Sequence, residues 1–182
     1  MKLKMSIPLL NIVVLCSGCV VFKNSSERAV DTITNNETPS DTSDQKGSLE
    51  VKAEEALTNF FKLLHDGNYS QAAILYGGSY EMLQGYNPNL EADNYAGLLK
   101  AGCEMNGLMC LEVLNILSVK TSSEGTFSFQ IELVNPDGSL FELGPCCGAS
   151  EEDSPSRSSF PVRVICQDDM SCLVMDLPPY VP

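Results

Sequence analysis

The apolar residues of this chain repeat with one period in its first half and another in its second, and that switch limits the folds open to it. Ala53, Ala56, Leu57, Phe60, Phe61 and Leu64 recur at intervals of three and four, which places them on one stripe of a helix. Ser48 is positioned to cap that helix, Glu50, Glu54 and Glu55 favour its start, and Asp66-Gly67-Asn68 stops it. A second helix is expected over residues 70–76, ended by Gly77-Gly78, and Ser79 can open a further turn or two through Leu83. Asn87-Pro88-Asn89 then breaks the chain, and Asp93 is placed to cap a helix over 94–104. Farther on, Phe127, Phe129, Ile131 and Leu133 alternate with Ser128, Gln130 and Glu132, the pattern of a half-buried strand. Asn135-Pro136-Asp137-Gly138 is a turn, with strands expected at 111–119 before it and 139–143 after it. A polar loop over 144–158 leads to a final hairpin of 160–166 and 172–177, and Pro178-Pro179 ends it. Helices first and antiparallel strands afterwards imply an α+β fold, with the helices packed on one face of the sheet.

The first 48 residues belong to neither pattern. Lys2 and Lys4 precede an apolar run from Ile7 to Leu15, and Ser17-Gly18 then lead into Cys19. A basic start, a short apolar core and small residues at a cleavage point describe an export signal. The run is shorter than the ~20 residues that span a bilayer. The layout resembles the bacterial lipoprotein signal, residues 1–18 here. That resemblance implies lipidation at Cys19 and an anchor on the extracytoplasmic face of the cell membrane or outer membrane. Two or more acyl chains on one residue hold a protein stably at a bilayer. Residues 19–48 then read as the lipidated cysteine and a flexible linker. Over 23–48 only Ala29, Val30 and Ile33 are apolar, too little to offset the cost of ordering. Its expected r.m.s. span is roughly 28 Å. The remainder, 49–182, is expected to form one α+β domain.

Charge narrows the partners. The chain has 24 acidic and 11 basic residues, a net −13. Removing residues 1–18 takes away Lys2 and Lys4 and leaves −15. Nucleic acid needs a Lys/Arg footprint, so it is not an expected partner, and a basic patch on anionic lipid is excluded for the same reason. Membrane contact is expected through the lipid alone. A small-molecule or protein ligand remains open.

The segment FFKLLHDGNYSQAAILY carries a second resemblance, through Phe60, Phe61, Leu64, Asp66, Gly67, Tyr69, Ala72, Ala73 and Tyr76. It is similar to the opening of the nuclear-transport-factor-2-like superfamily. The resemblance covers roughly residues 50–177. It implies a cone closed by helices on one side and a curved antiparallel sheet on the other. That fold hosts isomerases, dehydratases and pure binding domains, so function has to come from the site. In its enzymes an acid, a histidine or a tyrosine lies inside the cone. Tyr69, Tyr76, Tyr80, Tyr86 and Tyr95 are the residues here that could line one.

Six cysteines follow Cys19: Cys103, Cys110, Cys146, Cys147, Cys166 and Cys172. An even number in an exported domain points to disulfides. With Asp169 as the hairpin centre, Cys166 faces Cys172 and Val164 faces Val174, and facing residues bring Cβ atoms close enough to bridge. Cys166–Cys172 is the expected pair. The other four leave two arrangements open: two bridges between the 103/110 and 146/147 regions, or Cys103–Cys110 beside a vicinal pair. A four-thiolate zinc site is disfavoured because the spacing is C-x₆-C followed by adjacent cysteines, and a thiol redox role lacks C-x-x-C. No phosphate-binding glycine loop, nucleophile elbow or zinc-protease motif occurs. The single histidine, His65, reads as a favourable base at a helix C-terminus. No catalytic residue, metal or cofactor is therefore expected. The sequence points to a non-enzymatic ligand- or partner-binding, or envelope, domain; the alternative is an isomerase, dehydratase or hydrolase using a cone pocket.

Overall fold

The computed structural model describes residues 42–123, 125–145, 148, 150–167 and 171–181. The signal segment, Cys19, the linker up to residue 41, Cys146, Cys147 and Asp169 lie outside the described residues.

Helix α1 is Thr42–His65. All six residues of its apolar stripe are buried. Its stop is a Schellman closure: Gly67 has φ +73, its N–H donates to Leu64 O at 3.2 Å, and the Asn68 N–H donates to Leu63 O at 2.8 Å. Its start differs from expectation. Ser48 lies inside the helix instead of capping it, and α1 begins at Thr42. The reason is that apolar spacing marks only the packed turns. Once those are nucleated, each further polar residue adds a hydrogen bond at little cost.

Three short helices follow: α2 Tyr69–Leu75, α3 Glu81–Tyr86 and α4 Tyr95–Glu104. Asn94, not Asp93, caps α4, its side chain accepting the Gly97 N–H at 3.0 Å. The Asp93 carbonyl is used in a tight turn by the Tyr95 N–H at 2.9 Å. Ser79 accepts the Glu81 N–H at 3.2 Å and thereby opens α3.

Strands β1 Glu112–Ser123, β2 Thr126–Val134, β3 Ser159–Cys166 and β4 Cys172–Val174 form one antiparallel sheet in the order β1-β2-β3-β4. On β2 the buried set is Phe127, Phe129, Ile131 and Leu133, and on β3 it is Phe160, Val162, Val164 and Cys166. Register brings Phe127 opposite Val164 and Phe129 opposite Val162, so both sets share one face. Helix α1 packs across β1, β3 and β4 on that face. Leu57, Phe60 and Phe61 join the core there with the sheet phenylalanines. β1 departs from simple alternation at three register shifts, between Val113 and Asn115, Ile116 and Ser118, and Thr121 and Ser123. The bulges turn Val113, Ile116 and Val119 toward the core at intervals of three.

Two expected strands shorten. Residues 139–143 make only isolated bridges, Leu140 to Val134 and Leu143 to Arg157. β1 occupies one edge of β2 as far as Val134 and β3 the other as far as Glu132, so a further strand finds only Leu133 and Val134 free to pair. The last strand ends at Val174 rather than residue 177. There the chain is held by the Asp176 carboxylate, which accepts the Arg163 N–H at 2.8 Å and the Arg163 Nη2 at 2.6 Å.

Candidate functional site

Cysteine pairs anchor two corners of the domain. Cys166 and Cys172 face each other across β3 and β4 at disulfide distance. Cys103 and Cys110 form the second pair, with Cα atoms 5.6 Å apart, inside the range a bridge spans. This pairing replaces the expected alternative of two bridges to Cys146 and Cys147. α4 ends at Glu104 and the chain reverses through Gly107, which returns Cys110 to Cys103 before β1 begins. His65 sits beside this corner, its Nδ1–H donating to the Cys110 carbonyl at 3.2 Å. It therefore ties the end of α1 to the start of β1.

The tyrosines divide by depth. Tyr76 is buried, stacks on Phe60 at 5.6 Å and donates its hydroxyl to the Ser79 carbonyl at 3.0 Å. Tyr80 meets Tyr76 edge-on at 4.9 Å and stacks on Tyr95 at 4.5 Å, which continues an aromatic ladder from the core to the surface. Burial, reinforced by the Asp176 charge and opposed by Arg163, pushes the Tyr76 phenol up to about 12. Burial pushes Tyr80 upward too, followed by its neighbours Tyr76 and Tyr95. The Tyr80 hydroxyl is buried without a hydrogen-bond partner among the described residues. Tyr69 is raised by burial first and then by Glu104, whose carboxylate accepts its hydroxyl at 3.3 Å. Raised phenols stay protonated at neutral pH, so none of these three is a base there. Among the described residues no charged side chain is buried, and no three His, Cys, Asp or Glu side chains are placed to share a metal ion.

The feature that sequence reasoning missed is a cleft at the end of the helical layer. Residues beyond β4 return as a strap: the Met109 N–H donates to Pro179 O at 2.8 Å, the Val181 N–H donates to Gly107 O at 2.9 Å, and Leu108 bridges Tyr180. Gly107 has φ +80, and a Cβ there would collide with the Val181 carbonyl oxygen. The strap, the α4–β1 loop and the end of α3 border an open cleft of about 260 Å³. Its walls are Tyr86, Met105, Asn106, Gly107, Tyr180 and Val181. Tyr86 and Tyr180 stack with ring centroids 5.8 Å apart and planes within 15°. Asn87 donates to Leu83 O at 2.7 Å and to Asn106 Oδ1 at 2.9 Å, which fixes the Asn106 carboxamide at the rim. Tyr86 is 48% exposed and Met105 72%. The only sequence signal was an aromatic residue just after Pro178-Pro179, and no periodicity links it to Tyr86.

No protein-family model matches the chain, and neither a curated protein nor a solved structure matches it.

Proposed function

We propose that this chain is a lipid-anchored extracytoplasmic protein whose α+β domain binds a ligand or partner. In this reading the first 18 residues are a lipoprotein signal, Cys19 carries the acyl chains, and the residues after it set the domain off the membrane. The observation that carries it is the pair of disulfide-distance contacts, Cys103–Cys110 and Cys166–Cys172. Bridges of this kind persist in oxidising compartments and are rare where thiols are kept reduced. α1 lying across an antiparallel sheet supports placing the domain with the nuclear-transport-factor-2-like superfamily.

The test is the intact mass of the protein recovered from membranes, with peptide mapping under non-reducing conditions. The expected result is a mature chain starting at Cys19 with an added acyl mass, and Cys103–Cys110 and Cys166–Cys172 linked peptides. Cys19→Ala should move the protein out of the membrane fraction. A soluble chain retaining Met1, with every thiol free, overturns the reading.

A further inference from the structure

We propose that the cleft between Tyr86, the 105–107 loop and the C-terminal strap is a binding site for one ring of a neutral saccharide. The inference rests on the ligand-binding reading of the domain. At about 260 Å³ the cleft is just below the ~300–1,000 Å³ of pockets for drug-sized molecules, which suits a ligand about one ring in size. None of its six wall residues carries a charge. In a chain of net −13 the surrounding field repels anions, which removes phosphates, nucleotides and acidic glycans. Among the described residues a cation finds no carboxylate in the wall. It also finds no aromatic cage, because Tyr86 and Tyr180 stack on each other and present one platform instead of two opposed faces. A wholly apolar ligand would bury the Asn106 carboxamide, whose NH₂ makes no hydrogen bond among the described residues, without a partner.

What remains is a neutral molecule with one apolar face and a hydroxylated rim. A pyranose ring has that form. Its C–H face lies on the exposed Tyr86 ring, Met105 closes over its edge, and the Asn106 NH₂ donates to a ring substituent. The walls are set before binding. Asn87 orients Asn106, the Cys103–Cys110 pair closes the loop that carries residues 105–107, and the Val181–Gly107 and Met109–Pro179 hydrogen bonds hold the strap. Preorganisation of this kind lowers the cost of binding.

The experiment uses the full chain, labelled at methionine methyl groups, in a polyoxyethylene detergent that has no sugar headgroup to compete. It is titrated separately with cellobiose, N,N′-diacetylchitobiose, choline and a proline-rich decapeptide. The Met105 resonance is assigned with Met105→Leu. One or both sugars should shift the Met105 methyl saturably below about 10 mM. Tyr86→Ala should weaken that binding at least about tenfold, and Tyr86→Phe, which keeps the ring, should stay within about twofold. No saturable shift with either sugar overturns the proposal. So does a sugar response unchanged in Tyr86→Ala, or a response to choline or the peptide alone. Should Tyr86→Ala not fold, Asn106→Asp replaces it: loss of a donor and gain of a charge in the cleft must weaken sugar binding, and an unchanged affinity overturns the proposal. The address is tested separately by the N-terminal mass, so failure of either experiment leaves the other result standing.

Discussion

Gly107 and Val181 approach so closely that no side chain fits between them, which makes residue 107 of the α4–β1 loop sensitive to any substitution. Gly107→Ala combines a positive φ with a collision against a backbone carbonyl. It should cost about 1–3 kcal/mol, read as a lower urea midpoint. The amide of Val181, which donates to Gly107 O, should then exchange faster with solvent; an unchanged rate would disconnect strap from loop. A second residue-level effect lies in the turn after β2. The Ser139 hydroxyl, and then its backbone N–H, bond the Asp137 carboxylate and hold it below the ordinary carboxyl value. An acid depressed in the folded state contributes stability above its unfolded value and loses that contribution as pH falls through the folded one. The Asp137 carboxyl carbon should therefore titrate at lower pH in the folded chain than in urea. Ser139→Ala should move it back toward the ordinary value.

At the scale of elements, the polar start of α1 offers a direct test. Gly47 lies within the helix with nothing within 4 Å of where a Cβ would stand. Gly47→Ala should raise stability by about 0.5–1 kcal/mol; a loss would mean that residues 42–48 are not helical in solution. The β3–β4 hairpin depends on a staple of sequence separation 6. Replacing both Cys166 and Cys172 by serine should cost roughly 2 kcal/mol in the chain-entropy account, seen as a fall in Tm. These two elements also show what the amino acids declare openly. The buried stripe of α1 and the alternation of β2 were legible because each residue there faces either core or water, so the pattern is written in its polarity. The first turns of α1 were not legible, since a helix without a buried face has no apolar period. Residues 139–143 carry the composition of a strand. Only the pairing of β2 on both sides, a property of residues far away, denies them a ladder.

For the whole molecule, the aromatic ladder sets an alkaline limit. The Tyr76 phenol ionises near 10 when unfolded and at about 12 in the fold. A group with a raised folded value contributes stability below its unfolded value and loses it as pH climbs toward the folded one. Unfolding should therefore set in as pH rises from about 10 toward 12, and of the six tyrosines Tyr76 and Tyr80 should ionise only with that transition. Ultraviolet titration beside circular dichroism checks this; early ionisation of all six with the fold intact would contradict it. The cleft was illegible in advance for a reason at the same scale. Tyr86, Asn106 and Tyr180 come from three segments with no shared motif, and only the completed fold assembles them. The cysteine corner beside it was half legible, because the even cysteine count announced bridges while Cys103–Cys110 was only one of two open arrangements. The route of the chain has one more consequence. Val174 is buried in the core, accepts the Gly77 N–H at 2.9 Å and faces Val164, yet it is made after both of them. A nascent chain halted before residue 172 leaves the aromatic interior unsealed, so the ribosome must deliver β4 before this domain can commit to its final shape.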